Sequence, residues 1–225
     1  MQFKMYYMND VYQLDKQRGK GKIYQIIKQS TPVKVDKLFS KKAYAHVPSG
    51  TYEFYIKGYT LQVYWTINAI YDLFRLLEQC INNNCNLLMT IDHEGPCSYV
   101  VIIPLENDNI RLLILDRKNY KVRYFCLDDD RDPELERTIP IVDIIVSKYE
   151  FIKQFNKEFH RIYDENKYYL SEEYRLKCEA EQASVCQEYV LKSFEEYMPI
   201  FDKYLENSEK YRKTIFKIKD LNVKT

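Results

Sequence analysis

Glycine and proline are scarce in this chain, whose 225 residues include only five glycines and seven prolines. Such a composition excludes collagen-like and low-complexity chains, which need many of both residues. No stretch approaches the roughly 18 consecutive apolar residues of a membrane-spanning helix. The first residues, MQFKMYYMND, also lack the apolar core of a signal peptide. We therefore expect a globular cytoplasmic protein that does not enter a membrane.

The sequence also lacks the motifs of several common chemistries. The six cysteines form no CxxC pair, and no two of the three histidines share a ligand spacing, so we expect no metal. There is no GxxxxGK[ST] phosphate loop and no GxSxG nucleophile motif. We accordingly expect reduced thiols, no cofactor and no enzymatic activity.

Alternating apolar residues predict a strand-rich first part of the chain, up to about residue 146. FKMYYM near the N-terminus reads as a short strand, and TYEFYIK and YTLQVYW alternate with period two about the turn Lys57-Gly58. A helix is predicted after Thr66 and ends at Asn82-Asn83-Asn84. Four strands, NLLMTID, SYVVIIP, IRLLILD and YKVRYFC, then form a predicted meander, and IVDIIV follows as a fifth strand.

The remainder of the chain is predicted to be helical. Ser147 and Glu150 have the spacing of a capping box, in which side chains satisfy the first free amides of a helix. Ser171 is expected to cap a second helix, which Pro199 should kink or break because proline lacks the amide hydrogen.

Strands followed by helices, rather than alternating with them, indicate an α+β fold. We predict a mostly antiparallel meander with one inserted helix and a C-terminal helical layer. Residues 1–146 form the strand-rich region, and residues 147–225 form helices that we expect to pack on it within one domain.

The stretch DHEGPC combines acids, a histidine and a cysteine between two predicted strands. Gly95 and Pro96 favour a turn here, because glycine accepts positive φ and proline cannot continue a ladder. His93 and Glu94 at this turn are expected to contribute to a contact surface. A catalytic use of Cys97 with His93 and Glu94 would need an oxyanion donor, and the sequence identifies none.

A nuclease or phosphodiesterase is the alternative function. Asp116 and Lys118 match the D-x-K pattern of metal-dependent nucleases, in which acids hold Mg²⁺ and the lysine positions water. Asp92 could supply the second acid. A charged hairpin turn explains the same residues without any catalysis.

Charge is divided unevenly, although the net charge is +1. Lys16 to Lys42 contains nine basic residues and one acid, whereas Asp92 to Glu136 contains eleven acids and six bases. The basic N-terminal stretch could contact nucleic-acid phosphates, which makes a nucleic-acid-associated accessory protein a third hypothesis. Overall neutrality and the lack of a recognition helix argue against a nucleic-acid partner. The densest acidic segment, DDDRDPELE, is predicted to contact a basic protein partner. Its acids are Asp128, Asp129, Asp130, Asp132, Glu134 and Glu136.

The order of elements resembles that of immunity proteins from bacterial polymorphic-toxin and contact-dependent inhibition systems. The resemblance rests on AIYDLFRLLEQCINN before a strand pair around DHEGP, then IRLLILD and a strand leading into VSKYEFIKQFNKEFHRIYDE. It covers roughly residues 64–165 and is one of layout, without a diagnostic motif. It implies a non-enzymatic protein that binds a cognate toxin and blocks its active site, and a basic toxin would suit the acidic segment. The 22 tyrosines suit such a role, since tyrosine is enriched where proteins bind proteins.

Overall fold

A computed structural model of the chain defines two sheets and four main helices. It describes residues 3–7, 10–13, 27–47, 50–63, 69–92, 97–116, 140–180 and 187–222. Of them, the side chains are described for most of the stretch 27–180 and for residues 192–213.

The larger sheet has seven strands. They are β1 (Phe3–Tyr7), β2 (Asp10–Gln13), β3 (Val33–Lys34), β7 (Asn86–Asp92), β8 (Cys97–Pro104), β9 (Asn109–Asp116) and β10 (Pro140–Ser147). Their order across the sheet is β2-β1-β7-β8-β9-β10-β3. The central strands pair antiparallel, while β1 joins β7 and β3 joins β10 in parallel.

The smaller sheet contains β4 (Tyr44–His46), β5 (Thr51–Ile56) and β6 (Tyr59–Val63), all antiparallel. Along β5 the side chains alternate between partly buried and buried, as period two requires. Lys57 and Gly58 form a two-residue turn in which both have positive φ, 48° and 85°. This is the turn geometry that matches the twist of a hairpin, so the predicted tight turn is confirmed.

Four helices complete the fold: α1 (Ala69–Asn82), α2 (Lys148–Glu165), α3 (Glu172–Ala180) and α4 (Gln187–Asn222). The Ser147 hydroxyl accepts a hydrogen bond from the Glu150 amide at 3.1 Å, and that of Ser171 accepts one from the Tyr174 amide at 3.2 Å. Both serines therefore cap their helices as predicted. None of the helices in the described ranges is long and apolar enough to span a bilayer.

Aromatic side chains connect the helices to each other and to the smaller sheet. The Phe74 ring on α1 lies 4.5 Å from that of Phe159 on α2 and 5.1 Å from that of Phe194 on α4. Phe54 of β5 lies 5.2 Å from Phe155 of α2. These rings belong to one hydrophobic cluster that also contains the helix-facing side chains of β7, β8, β9 and β10. The α+β class is thus confirmed, with the helical layer seated on one face of the sheet.

Two details differ from the prediction. Pro199 does not end its helix, because α4 continues through it for 36 residues in total. Pro199 is exposed, so water can satisfy the carbonyl that lost its helical partner. The strand beside β9 is β10, which pairs with it from Asn109 to Leu115. The segment YKVRYFC, predicted as the next strand of the meander, lies outside the described residues.

Candidate protein-binding surface

Most of the side chains chosen from the sequence lie outside the described residues. His93, Glu94, Lys118 and the acidic segment Asp128–Glu136 belong to this group. Their roles as partner-binding residues therefore stay predictions. Only the backbone positions of Asp92 and Asp116 are defined, at the ends of β7 and β9.

The strand register bears on the nuclease alternative. Ile91, Ser98 and Asp116 lie side by side across β7, β8 and β9, whereas Asp92 pairs with Cys97. Because neighbouring residues in a strand alternate between faces, the register puts the positions of Asp92 and Asp116 on opposite faces of the sheet. The structure does not bring these two positions together at one face. Among the described residues, no group of three or more metal-ligating side chains is found.

Three tyrosines form an exposed group at the connection between α2 and α3. We call Tyr168, Tyr169 and Tyr174 the tyrosine cluster. Their ring centroids lie 5.2–5.5 Å apart, and each pair meets edge to face. Tyr168 is 48% and Tyr169 38% exposed, so their rings face solvent while supporting each other. Edge-to-face packing of this kind orients the rings before any partner arrives.

Hydrogen bonds fix the turn that carries this cluster. The Asn166 side-chain amide donates to the Ile162 carbonyl at 2.9 Å and closes α2. The Leu170 amide donates to the Asn166 carbonyl at 3.1 Å, and the Ser171 hydroxyl to the Tyr168 carbonyl at 2.6 Å. Leu170 itself is 3% exposed and inserts into the core. The turn is thus anchored from within while its tyrosines point outward.

Exposed residues of α3 lie close in sequence to the tyrosine cluster. Leu176 on this helix is 53% exposed, and Glu172 and Glu173 in its first turn are exposed as well. Acidic residues in a first turn also stabilise the helix through its dipole. Exposed charges of both signs border the tyrosines, since Lys167 directly before Tyr168 is exposed as well, and a polar rim of this kind is typical of a contact patch.

Buried and partly buried polar side chains elsewhere hold elements together. On α2, the Glu158 carboxylate accepts from the Ala43 amide at 2.9 Å and from Arg161, whose guanidinium also donates to the Ala43 carbonyl. Asp202 on α4 accepts from the Asn156 side-chain amide at 2.7 Å and lies 3.0 Å from the Nε2 atom of His160. Among the residues that the structure describes, no nucleophile is bonded to this histidine–aspartate pair, and its visible role is to connect α2 with α4.

Asp72 on α1 differs from these polar side chains in its hydrogen bonding. Its side chain is 6% exposed, and within the described part of the chain its Oδ1 atom has no hydrogen-bond partner. Burial raises the pKa of this carboxyl from 3.8 to about 6, and nearby Arg75 acts in the opposite direction. A raised pKa in a cleft would suggest a general acid, but Asp72 is packed among the buried apolar residues of α1.

Two cysteines line a small cavity at the end of α1. Cys80 and Cys85 face it together with Lys148, and it has room for about one water molecule. Both cysteines are free, and burial raises the pKa of the Cys80 thiol to about 12. A thiol held protonated in this way is a poor metal ligand, because metals bind the thiolate. Free thiols at Cys80, Cys85 and Cys178 agree with the expectation of reduced cysteines.

The tyrosine cluster was missed in the sequence, although its signals were present. The sequence shows an abundance of tyrosine and a cap at Ser171, and Tyr168-Tyr169 stands just before that cap. This pair is not among the contact residues predicted from the sequence. Aromatic residues in the connection between two helices do not belong to the buried apolar face of either helix. They are therefore candidates for exposure to solvent. Comparisons with protein-family models, with curated proteins and with solved structures find no match for this chain.

Proposed function

We propose that this protein is a non-enzymatic binding module that recognises another protein, and that its partner is a toxin domain which it neutralises in the cytoplasm. The observation that carries the proposal is the exposed and pre-oriented tyrosine cluster. Large aromatic groups held rigidly at a surface are the residues that dominate binding energy in protein interfaces. Single exposed aromatic residues are normal on a protein surface, but here two adjacent tyrosines, 48% and 38% exposed, belong to one cluster of contacting rings.

The acidic segment Asp128–Glu136 suggests the sign of the partner's charge on sequence grounds. Glu172 and Glu173, which precede Tyr174 on α3, are exposed and have the same sign. Acidic residues around an apolar centre speed the approach of a basic partner and fix its orientation. A basic toxin domain, such as a nuclease, meets this requirement. The layout resemblance to immunity proteins supports the same reading.

Quantitative pull-down from the native lysate tests the proposal. The wild-type protein is compared with Tyr168→Ser/Tyr169→Ser and with the matched control Tyr211→Ser, which alters a tyrosine that is 67% exposed on α4. We expect the wild type and the control to recover the same partner in equal amounts. The double variant should recover at least about tenfold less of it, because each aromatic anchor contributes on the order of 1–2 kcal/mol to binding.

The recovered partner then decides the biological role. Expressed alone it should stop growth, and co-expression of the wild type, but not of the double variant, should restore growth. Equal recovery by the double variant and the wild type would remove the tyrosine cluster from the interface. A partner that is harmless when expressed alone would refute toxin neutralisation while leaving protein binding intact.

A further inference from the structure

Residues 34–42 form a second surface, separate from the tyrosine cluster. We call this segment the lysine strap. Four of its residues are exposed lysines, Lys34, Lys37, Lys41 and Lys42, and its one acid is Asp36. The strap runs from β3, at the edge of the large sheet, to β4 of the small sheet.

The backbone of the lysine strap is fixed at several points. Lys34 pairs with Ile145 of β10, and the Val35 amide donates to the Ile145 carbonyl at 2.8 Å. Gln154 of α2 accepts from the Leu38 amide at 2.7 Å and donates to the Asp36 carbonyl at 3.0 Å.

Beyond these bonds, Leu38 and Phe39 are buried, and the Ser40 amide donates to the Tyr55 carbonyl at 2.8 Å. Ala43, directly after the strap, is held by Glu158 and Arg161. The lysines are thus presented on a prearranged backbone, so binding a ligand need not order this segment.

Two tyrosines accompany the charges. Lys41 places its Nζ atom 3.7 Å from the centre of the Tyr55 ring, an arrangement that holds the ammonium group in position. Tyr44, on the neighbouring strand β4, is 49% exposed. Tyr55 is itself oriented by donating its hydroxyl hydrogen to Glu53, which raises the pKa of Tyr55 to about 12. Positive charge beside an exposed aromatic ring, here that of Tyr44, is the pattern by which proteins hold single-stranded nucleic acids.

We propose that the lysine strap, together with Tyr44, binds single-stranded nucleic acid. The lysines would contact phosphates, and the Tyr44 ring would stack on a base without reading a sequence. The net charge of +1 led us to expect no such partner, but the structure concentrates exposed positive charge on one fixed segment. No recognition helix is needed, since single strands are bound without entering a groove.

Fluorescence anisotropy of the full-length protein with labelled oligothymidylate of about 12 nucleotides tests this proposal. Four phosphate contacts predict that log K falls with log salt concentration with a slope of about −3, from 0.7 per contact for single strands. Lys41→Ala/Lys42→Ala should roughly halve this slope and weaken binding about tenfold or more at low salt. Lys203→Ala/Lys213→Ala removes the same charge from exposed positions on α4 and should change neither quantity.

Two further variants separate the contributions of charge and stacking. Asp36→Asn removes the strap's own acid and should tighten binding, whereas Tyr44→Ala should weaken it several-fold with the salt slope unchanged. Circular dichroism of each variant checks that the fold is retained. An unchanged affinity for the Lys41→Ala/Lys42→Ala protein would overturn the proposal.

Other polyanions complete the test. Heparin carries charge without bases, so equal affinity for heparin together with indifference to Tyr44→Ala would reduce the site to general charge attraction and refute nucleic-acid binding. A synthetic peptide with the sequence DDDRDPELE that displaces the oligonucleotide at lower concentration would instead identify an acidic protein segment as the occupant. Either result leaves the proposal on the tyrosine cluster unaffected, because none of these variants alters it.

Discussion

Glu158 on α2 and Asp72 on α1 are equally hidden from solvent but differ in their surroundings. Glu158 is 7% and Asp72 6% exposed. The carboxylate of Glu158 accepts hydrogen bonds from the Ala43 amide and from Arg161, whereas the Oδ1 atom of Asp72 has no partner in the described residues. Burial raises the pKa of Asp72 to about 6.

The comparison shows that partners, and not burial alone, decide what a hidden charge does. A buried carboxylate loses its hydration, and only hydrogen bonds or an opposite charge can replace it. Glu158 receives both and in return holds Ala43, directly after the lysine strap, against α2. Asp72 lacks this compensation at Oδ1, so we expect it to weaken the fold near neutral pH.

The largest effect is expected from Glu158→Ala. The change removes the acceptor of the Ala43 amide and the main partner of Arg161, and should lower the free energy of unfolding by about 3 kcal/mol. Urea unfolding with an unchanged m-value measures it. The control is Glu165→Ala, which removes the exposed carboxylate partner of the same Arg161 and should cost less than about 1 kcal/mol. Equal losses in the two variants would mean that burial contributes nothing to this interaction.

Asp72→Asn should have a smaller effect of the opposite sign. A carboxyl whose pKa is higher in the folded state binds more protons when folded, so its penalty is absent below about pH 4 and fully present above about pH 6. The neutral asparagine should therefore stabilise the protein by about 1–2 kcal/mol at pH 7. Thermal unfolding of both proteins between these pH values measures the difference, which should shrink towards acid.

Asp164→Asn is the control for this experiment, because Asp164 is exposed and its change should not produce the same pH-dependent gain. If Asp72→Asn instead destabilised the protein at pH 7, the carboxylate would have to be compensated by a partner that the described residues do not include.

The smallest effect in this series is expected from Gln154→Ala. Gln154 holds the lysine strap through one donated and one accepted hydrogen bond, both neutral, so the variant should lose about 1 kcal/mol. The local consequence is more diagnostic: the Leu38 amide should exchange its hydrogen faster, while amides of the central strand β9 should not. Equal acceleration in both regions would show that Gln154 supports the whole fold and not the strap alone.

Local features of the fold could be predicted because they depend on residues close in sequence. The hairpin at Lys57-Gly58 and the helix caps at Ser147 and Ser171 each require only four or so neighbouring residues. The parallel pairing of β1 with β7 brings together residues about 80 positions apart, and no local pattern specifies it.

Predictions were wrong or stayed untested where contacts between distant parts of the chain determine the local structure or exposure. Pro199 lies within α4 because its exposed side lets water replace the missing bond, and exposure was not readable from the sequence. The tyrosine cluster depends on the edge-to-face contact of Tyr174 with two rings from the preceding turn, which is a property of the folded chain. The contact residues predicted from the sequence are polar, because charged runs are conspicuous in a sequence. The tyrosine cluster that the structure defines is aromatic.

Pro199 also has a mechanical consequence for α4. Without an amide hydrogen at this position, the ladder of hydrogen bonds is interrupted and the two halves of the helix are less tightly coupled. The first half carries Phe194, Tyr197 and Met198 into the core, while the second contacts α2 through Glu209, which accepts from the Tyr149 hydroxyl, and Arg212, which covers its ring. Because Phe201, just beyond the proline, is fully buried and Asp202 accepts from Asn156 of α2, both halves stay fixed to the interior. The interrupted ladder therefore loosens the helix only at the turn around Pro199.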